Sequence, residues 1–217
     1  MKNANAVVQI GKSGVIAIMR AKSPDQLLAA AEAILAGGVD AIEVTMTTPG
    51  ALEVVRQATS RYGDEVMLGV GSVLDAETAR AALLAGAMFV VSPTLSAKVI
   101  ELCKRYSVPV IPGAYTPTEI LTAWESGADF VKVFPAEVGG PGYIKAVKAP
   151  LPQVRLIPVG GVDLETTAEF IRAGADAVGV GSALISQKLL DQGDFAEITR
   201  RARRFREEVA QGRSSKA

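Results

Sequence analysis

Four segments of the chain resemble one another and recur about every 45 residues. Each starts with glycine and runs into residues that favour β-strands. Each also follows an Ala/Leu-rich stretch with helical spacing, and glycine commonly ends a helix. The repeat therefore predicts four helix-to-strand junctions. The segments are residues 37–44, 86–91, 127–132 and 174–179, and the predicted helices before them are residues 25–35, 76–84, 118–125 and 164–172.

Four further apolar runs alternate with these segments, over residues 15–19, 66–70, 108–111 and 155–159. Strands that alternate with amphipathic helices are typical of a parallel sheet covered by helices. Eight such units in a chain of this length predict an α/β fold, the (β/α)8 TIM barrel. An open doubly wound sheet is the alternative, but no Gly-x-Gly-x-x-Gly follows the first strand.

The length of the chain limits the number of domains, and its net charge limits the kinds of partner that it can attract. The 217 residues, 49% of them hydrophobic, are enough for one substantial core. We expect one barrel domain over residues 1–217, with a short N-terminal segment and a charged C-terminal helix from residue 194. Lys plus Arg number 23, as do Asp plus Glu, so no global charge attracts nucleic acid or an anionic membrane.

Several features favour a cytoplasmic protein without a metal centre. No run predicts a membrane span, and the start shows no signal-peptide pattern. Cys103 is the only cysteine, which excludes an internal disulfide and favours a reducing compartment. The chain has no histidine, which removes the Ser-His and Cys-His nucleophile systems and the commonest transition-metal ligand.

Lys132 lies in a run of β-formers with apolar neighbours on both sides. A desolvated lysine amine loses part of the stabilisation of its charged form, so its pKa falls and the neutral amine can attack a carbonyl. Schiff-base catalysis is one interpretation. The other is that the side chain extends from the strand end into water, as most strand lysines do.

Polar residues at the C-terminal ends of barrel strands converge on the active site. Glu43 lies between two apolar residues, where an unpaired charge is unfavourable, so we expect Lys132 as its partner. A catalytic pair and a structural ion pair both explain this arrangement. Other predicted strand ends carry Arg20, Ser72 and Pro93.

Two glycine-rich turns follow the seventh and eighth predicted strands, one at Gly160 and Gly161 and one at Gly181 and Ser182. Barrels often bind phosphate at this place through backbone N–H groups and a helix N-terminus. Tight turns without a ligand explain the glycines equally well. Arg20 is either a clamp for a carboxylate or phosphate or a solvated side chain.

Seven motifs together resemble the class I aldolases that act on 2-keto-3-deoxy-6-phosphogluconate (KDPG) and 4-hydroxy-2-oxoglutarate (KHG). They follow one another in the family's order over nearly the whole chain, which makes the resemblance specific. The motifs are residues 18–20, 42–45, 69–74, 92–93, 130–136, 159–162 and 179–182.

The resemblance implies a lyase in which Lys132 forms the Schiff base and Glu43 transfers protons, with no metal and no organic cofactor. It implies cleavage of KDPG to pyruvate and glyceraldehyde 3-phosphate in the Entner–Doudoroff pathway, cleavage of KHG to pyruvate and glyoxylate, and a homotrimer. The substrate-binding residues that it implies are Arg20, Ser72, Pro93, Phe134, Gly160, Gly161, Gly181 and Ser182.

The chain departs from the family pattern at several positions. Ser72 stands where many relatives have threonine, and the loop after Glu43 lacks an arginine that some members have. Val159 replaces a common threonine and is also found in aldolases for 2-keto-3-deoxy-6-phosphogalactonate (KDPGal), so KDPGal is an alternative substrate. Two further alternatives are a phosphosugar isomerase, epimerase or synthase without a covalent lysine, and a non-catalytic phosphosugar-binding scaffold.

Overall fold

The computed structural model describes residues 2–20, 23–63 and 65–214, in which strands and helices alternate. The helices are α1 (Lys2–Ser13), α2 (Pro24–Ala36), α3 (Ala51–Tyr62), α4 (Ala76–Leu84), α5 (Ala97–Arg105), α6 (Pro117–Glu125), α7 (Gly140–Lys148), α8 (Thr167–Arg172), α9 (Gln187–Gln192) and α10 (Phe195–Ser214). The strands are β1 (Val15–Met19), β2 (Ala41–Thr45), β3 (Met67–Gly71), β4 (Phe89–Val91), β5 (Val110–Ile111), β6 (Gly113–Ala114), β7 (Val131–Val133), β8 (Leu156–Pro158) and β9 (Val178–Val180). In these ranges no helix combines the length and the apolar character needed to cross a bilayer.

All strand pairs of the described residues are parallel, and they form two sheets. The larger sheet has the order β5-β4-β3-β2-β1-β9, and the smaller has the order β6-β7-β8. Because β9 pairs with β1, the last strand of the chain returns to the first and the sheet curls. The protein is therefore a single-domain α/β fold with helices around a curled parallel sheet, as the α/β prediction requires.

The fifth predicted strand differs from the prediction of eight continuous strands. Of the predicted residues 108–111, only the last two form a strand, β5, and a second short strand, β6, follows after Pro112. Proline has no N–H group to donate to a neighbouring strand, so the ladder is interrupted there. Elsewhere a single parallel bridge, between Val159 and Gly179, joins the residue after β8 to β9. A continuous eight-stranded barrel is therefore not confirmed by the described residues.

The four predicted helix-to-strand junctions are present. Gly86, Gly127 and Gly174 have φ angles of 104°, 96° and 113°, a left-handed conformation that other residues rarely adopt. Helix α4 has the predicted bounds, α2 is one residue longer than predicted at each end, and α6 begins one residue earlier than predicted. Helix α8 begins later than predicted, because the Asp163 carboxylate accepts hydrogen bonds from two following N–H groups and forms a turn first.

The two ends of the chain differ in how well the sequence predicts them. Helix α10 lies within the predicted C-terminal helix, whose last residues, 215–217, fall outside the described ranges. Helix α1 occupies the predicted short N-terminal segment, for which no helix is predicted above. Its residues Ala6 and Ile10 are fully buried and pack against Ile16 and other residues inside the curled sheet. Helix α1 therefore covers the inside of the sheet near the start of the first strand.

Side chains of each strand alternate between two cores, as the two-residue period of a strand requires. One core lies between the sheet and the helices, and the other lies inside the curled sheet. Ala41 and Phe130 belong to the inside core. Glu43 and Lys132 lie two residues beyond them in β2 and β7, so both charged side chains are directed to the same interior.

Candidate active site

Glu43 and Lys132 are the two charged residues buried in the described part of the chain, at 3% and 7% exposure. Their partners in the neighbouring strands are apolar residues and glycines, so hydration of both charges is reduced. The Nζ atom of Lys132 lies 4.9 Å from the centre of the Phe134 ring. The lysine is therefore packed inside the fold and is not a strand-end side chain that extends into water.

Burial shifts the pKa values of both groups toward their neutral forms. Desolvation lowers the pKa of the Lys132 amine, Glu43 opposes that change, and the positive charge of Arg20 adds to it. Desolvation raises the pKa of the Glu43 carboxyl, and the positive charges of Lys132 and Arg20 oppose that change. An amine that loses its proton readily, beside a carboxyl group that can hold one, suits nucleophilic attack coupled to proton transfer.

Gly71 makes room for the Glu43 carboxylate. A Cβ atom on Gly71 would lie 1.7 Å from Glu43 Oε1 and 2.3 Å from its Cδ. Glycine therefore allows the carboxylate to lie across the end of β3. The sequence shows Gly71 as part of a motif without indicating this contact, which depends on the pairing of Thr45 with Gly71 between β2 and β3.

A cavity of about 500 Å³ lies beside Phe134 and therefore close to the Lys132 amine. Six of the predicted substrate-binding residues line it: Arg20, Phe134, Gly160, Gly161, Gly181 and Ser182. The loops after β1, β7, β8 and β9 thus meet around one cavity, as the strand-end argument predicts.

Ser72 and Pro93, the other two predicted contacts, are not part of the cavity wall formed by the described residues. Ser72 directly follows β3 and has a φ angle of 59°, which is uncommon for serine. The Pro93 carbonyl oxygen lies 2.2 Å from the place of a Cβ on Gly113, and Gly113 pairs with Lys132. The structure therefore places these two residues nearer to the strands of the Glu43–Lys132 pair than to the glycine turns.

Both glycine turns form part of the cavity wall. Gly160 and Gly161 have φ angles of 93° and 72°, which other residues rarely adopt. Because both residues are glycine, this turn carries no side chains. After β9, the N–H group of Leu184 donates to the Gly181 carbonyl at 3.0 Å and closes a helical turn. Among the described residues, no backbone carbonyl accepts a hydrogen bond from the N–H group of Gly161. A backbone N–H group without a backbone acceptor, as at Gly161 in the cavity wall, suits an anion.

Six other residues that line the cavity are not among the predicted substrate-binding residues: Ile18, Val159, Val162, Asp163, Gly179 and Ala183. Ile18 lies two residues before Arg20, which is one period of a strand, and its side chain faces the inside core. Asp163 shapes the loop after Gly161, because its Oδ1 accepts the N–H group of Thr166 at 2.9 Å. An aspartate three residues before a threonine is a turn signal that the sequence does contain.

No group of three or more His, Cys, Asp or Glu side chains in the described ranges is arranged to hold a metal ion. The expectation of a reaction without a metal stays a prediction.

Comparison with known proteins decides the family. The family model described as "KDPG and KHG aldolase" matches residues 7–201. The chain belongs to this family. Its named relatives are aldolases, which are lyases, and they act in carbohydrate metabolism.

Two curated relatives of this KDPG and KHG aldolase family member bear different substrate names. The 2-dehydro-3-deoxy-6-phosphogalactonate aldolase of Escherichia coli (strain K12) is 38% identical over 174 residues, which are 80% of this chain and 85% of the relative. The 2-dehydro-3-deoxy-phosphogluconate aldolase of Pseudomonas aeruginosa is 35% identical over 188 residues, which are 86% of this chain and 85% of the relative. The family and the lyase class are therefore shown, and the comparisons leave the sugar acid open.

One similar solved structure is that of an aldolase that contains a covalent intermediate. The KDPG aldolase from Legionella pneumophila, with pyruvate captured at low pH as a covalent carbinolamine intermediate, superposes with a TM-score of 0.85 and 27% identity. The match covers 94% of this family member and 97% of the other chain. The predicted resemblance to the aldolase family is confirmed by these similarities.

Proposed function

We propose that this protein is a class I aldolase that cleaves KDPG to pyruvate and glyceraldehyde 3-phosphate. The observation that carries the proposal is the Lys132 amine, buried with a lowered pKa, near Glu43 and beside a cavity lined by two glycine turns. We further propose that the two sheets together form one barrel of eight β/α units. We also propose that the protein is a cytoplasmic homotrimer of the Entner–Doudoroff pathway.

The first step is covalent. The neutral Lys132 amine attacks the C2 ketone of the sugar acid to give a carbinolamine. The carbinolamine takes up a proton, which the final hydrolysis returns, and loses water to give an iminium ion that can accept an electron pair. Glu43, through a bound water, removes the proton of the C4 hydroxyl. The C3–C4 bond then breaks, its electron pair moves to C3 to form an enamine, and glyceraldehyde 3-phosphate leaves with C4 as its carbonyl carbon.

The second half-reaction restores the enzyme. The carboxyl proton on Glu43 is delivered to C3 of the enamine, which regenerates an iminium ion of pyruvate. Water then hydrolyses the iminium ion and releases pyruvate and free Lys132. The water lost in the first step is thereby replaced, and the scheme needs no metal and no organic cofactor.

Substrate binding is divided between two ends of the site. The phosphate lies against the turns at Gly160, Gly161, Gly181 and Ser182, whose residues line the cavity. The carboxylate end is held by Arg20 with Ser72. Pro93 and Phe134 provide apolar contacts near the reacting carbons, and the Phe134 ring already contacts the amine region.

KDPGal is the second candidate substrate, and a specific observation favours it. Val159, the residue that this chain shares with KDPGal aldolases, lines the cavity, and a relative named for phosphogalactonate is 38% identical. The two substrates differ at C4, which becomes the carbonyl carbon, so both give the same products. Only the relative rates of cleavage distinguish them. KHG, which gives pyruvate and glyoxylate, has no phosphate for the glycine turns.

Borohydride reduction in the presence of pyruvate tests the covalent step. Peptide mass spectrometry should find a pyruvyl adduct on Lys132, and the variant Lys132→Met should show neither adduct nor cleavage. An adduct on another lysine, or none at all, would contradict the assignment. Turnover of a phosphosugar without any adduct would favour the isomerase, and phosphosugar binding without cleavage would favour the scaffold.

A pyruvate-release assay coupled to lactate dehydrogenase tests the substrate. Initial rates on KDPG, KDPGal and KHG are compared at equal concentrations. The proposal expects KDPG to have the highest kcat/KM. A higher value for KDPGal would transfer the assignment to the second candidate, and a higher value for KHG would contradict the proposed role of the phosphate.

A further inference from the structure

The turn after β9 is connected to helix α10 by one arginine. Ala183 lines the cavity, and its backbone carbonyl accepts a hydrogen bond from Arg201 Nη1 at 3.0 Å. The N–H group of the same peptide unit, which belongs to Leu184, donates to the Gly181 carbonyl at 3.0 Å. Both sides of the Ala183–Leu184 peptide group are therefore held, one by Arg201 and the other by the turn itself.

Arg201 is itself oriented by Glu197. The Nε atom of Arg201 donates to Glu197 Oε1 at 2.7 Å, one helical turn away in α10. The hydrogen bond from Arg201 is the main cause that lowers the pKa of Glu197, so the carboxylate stays ionised at neutral pH. The backbone N–H group of Glu197 in turn donates to Asp194 Oδ1 at 3.1 Å, at the start of the helix.

A neighbouring arginine provides the contrast. Arg200 also forms an ion pair with Glu197, but its side chain is 73% exposed, against 31% for Arg201. Only Arg201 of these two donates to the turn at Ala183 in the described structure. Charge near Glu197 and contact with the turn can therefore be separated by substitution.

We propose that Arg201 is a positioning residue for the anion-binding turn, and that Glu197 orients it. By fixing the Ala183–Leu184 peptide group, Arg201 keeps the turn from Gly181 to Ala183 in the shape that presents its N–H groups to the cavity. The inference rests on the proposed function, because the place of the substrate phosphate is part of that proposal. The predicted effect concerns phosphate alone, since Lys132 and Glu43 lie on β7 and β2, whereas α10 packs mainly against α8 and α2.

The probe is inorganic phosphate, which needs no catalysis. Its Kd is measured for the wild type and for Arg201→Leu by phosphorus NMR titration. Loss of a hydrogen bond from a charged donor should raise the Kd about tenfold. Arg200→Leu, the matched control, should bind phosphate as the wild type does, and Arg201→Lys, which retains a cation and a donor, should recover part of the affinity.

A second measurement separates positioning from general damage. Exchange of the pyruvate methyl hydrogens with deuterated water reports on Lys132 and Glu43 without any phosphate. It should have the same rate in Arg201→Leu as in the wild type, while the KM for KDPG rises and kcat changes little. An unchanged phosphate Kd in Arg201→Leu would overturn the inference. An equal loss of phosphate binding and of exchange would overturn it too, because it would show a purely structural role.

Failure of the proposed function has a different signature. A wild type without exchange and without a borohydride-trapped adduct would refute the aldolase mechanism. The effect of Arg201 on the phosphate Kd would still be measured in the same samples. If that Kd rises in Arg201→Leu and not in Arg200→Leu, the positioning role stands whatever the reaction is.

Discussion

Replacing Gly71 by alanine tests whether the Glu43 carboxylate takes part in bond cleavage. The new Cβ would lie 1.7 Å from Glu43 Oε1, whereas ordinary van der Waals contact begins at 3.4 Å. The carboxylate must therefore withdraw by about 1.7 Å, the difference between these two distances. The φ angle of Gly71 is not in the left-handed region, so the backbone itself accepts alanine.

The size of the effect follows from that withdrawal. Misplacement of a reacting group by about 1 Å can lower a rate about 100-fold. We therefore expect kcat for KDPG to fall by at least about 100-fold in Gly71→Ala. The three atoms nearest to the new methyl group all belong to Glu43, so we expect borohydride still to trap the pyruvate adduct on Lys132.

The assay is pyruvate release, with thermal unfolding as a check on the fold. The control is Gly142→Ala in helix α7, where a Cβ meets no atom within 4 Å. That variant should retain the wild-type kcat. Turnover of Gly71→Ala within a few-fold of the wild type, with the fold intact, would refute the reasoning about Glu43.

Four further outcomes are expected, the first three from the assays above and the fourth from thiol labelling. Glu43→Gln should slow cleavage by about 10²- to 10⁴-fold while an adduct still forms, and unchanged turnover would remove Glu43 from the mechanism. Adduct formation by Lys132 should rise with pH, with its midpoint below the ordinary lysine pKa of 10.5, because burial lowers that pKa and only the neutral amine attacks; a midpoint at 10.5 or above contradicts this. Gly181→Ala adds a methyl group where no protein atom lies within 4 Å, so the protein should fold normally but show a higher KM for KDPG, and an unchanged KM would move the phosphate elsewhere. Burial raises the pKa of Cys103 to about 12, so maleimide should label the folded protein far more slowly than the denatured protein at neutral pH, and equal rates would contradict that burial.

Local signals in the sequence predict most of the secondary structure. Glycine at a left-handed position, as at Gly127, ends a helix whatever the tertiary contacts are, so the repeated junctions are visible in the chain alone. Pro112 shows the limit of the same approach. Its missing N–H group separates β5 from β6, and the apolar run before the proline does not predict the second strand, which belongs to the other sheet.

The site is only partly predictable, because the sequence indicates which residues end strands and not which atoms meet. Strand-end position identifies Arg20 and the two glycine turns, and these do line one cavity. The contact of Gly71 with Glu43 depends on register, and the bond from Arg201 to Ala183 joins residues 18 apart in the chain. Neither has a local signal. Helix α1 has only a short one, the spacing of four residues between Ala6 and Ile10, both of which are buried.

Helix α1 closes the inside of the curled sheet at the end where β1 begins. With Ala6 and Ile10 fully buried there, hydration of the Lys132 amine has to come from the opposite mouth, the one that Phe134 and the glycine turns surround. Under the proposed function, a sugar acid that enters by this mouth would displace water from around the amine and so lower its pKa further. The substrate itself would then favour the neutral form of the amine with which it reacts.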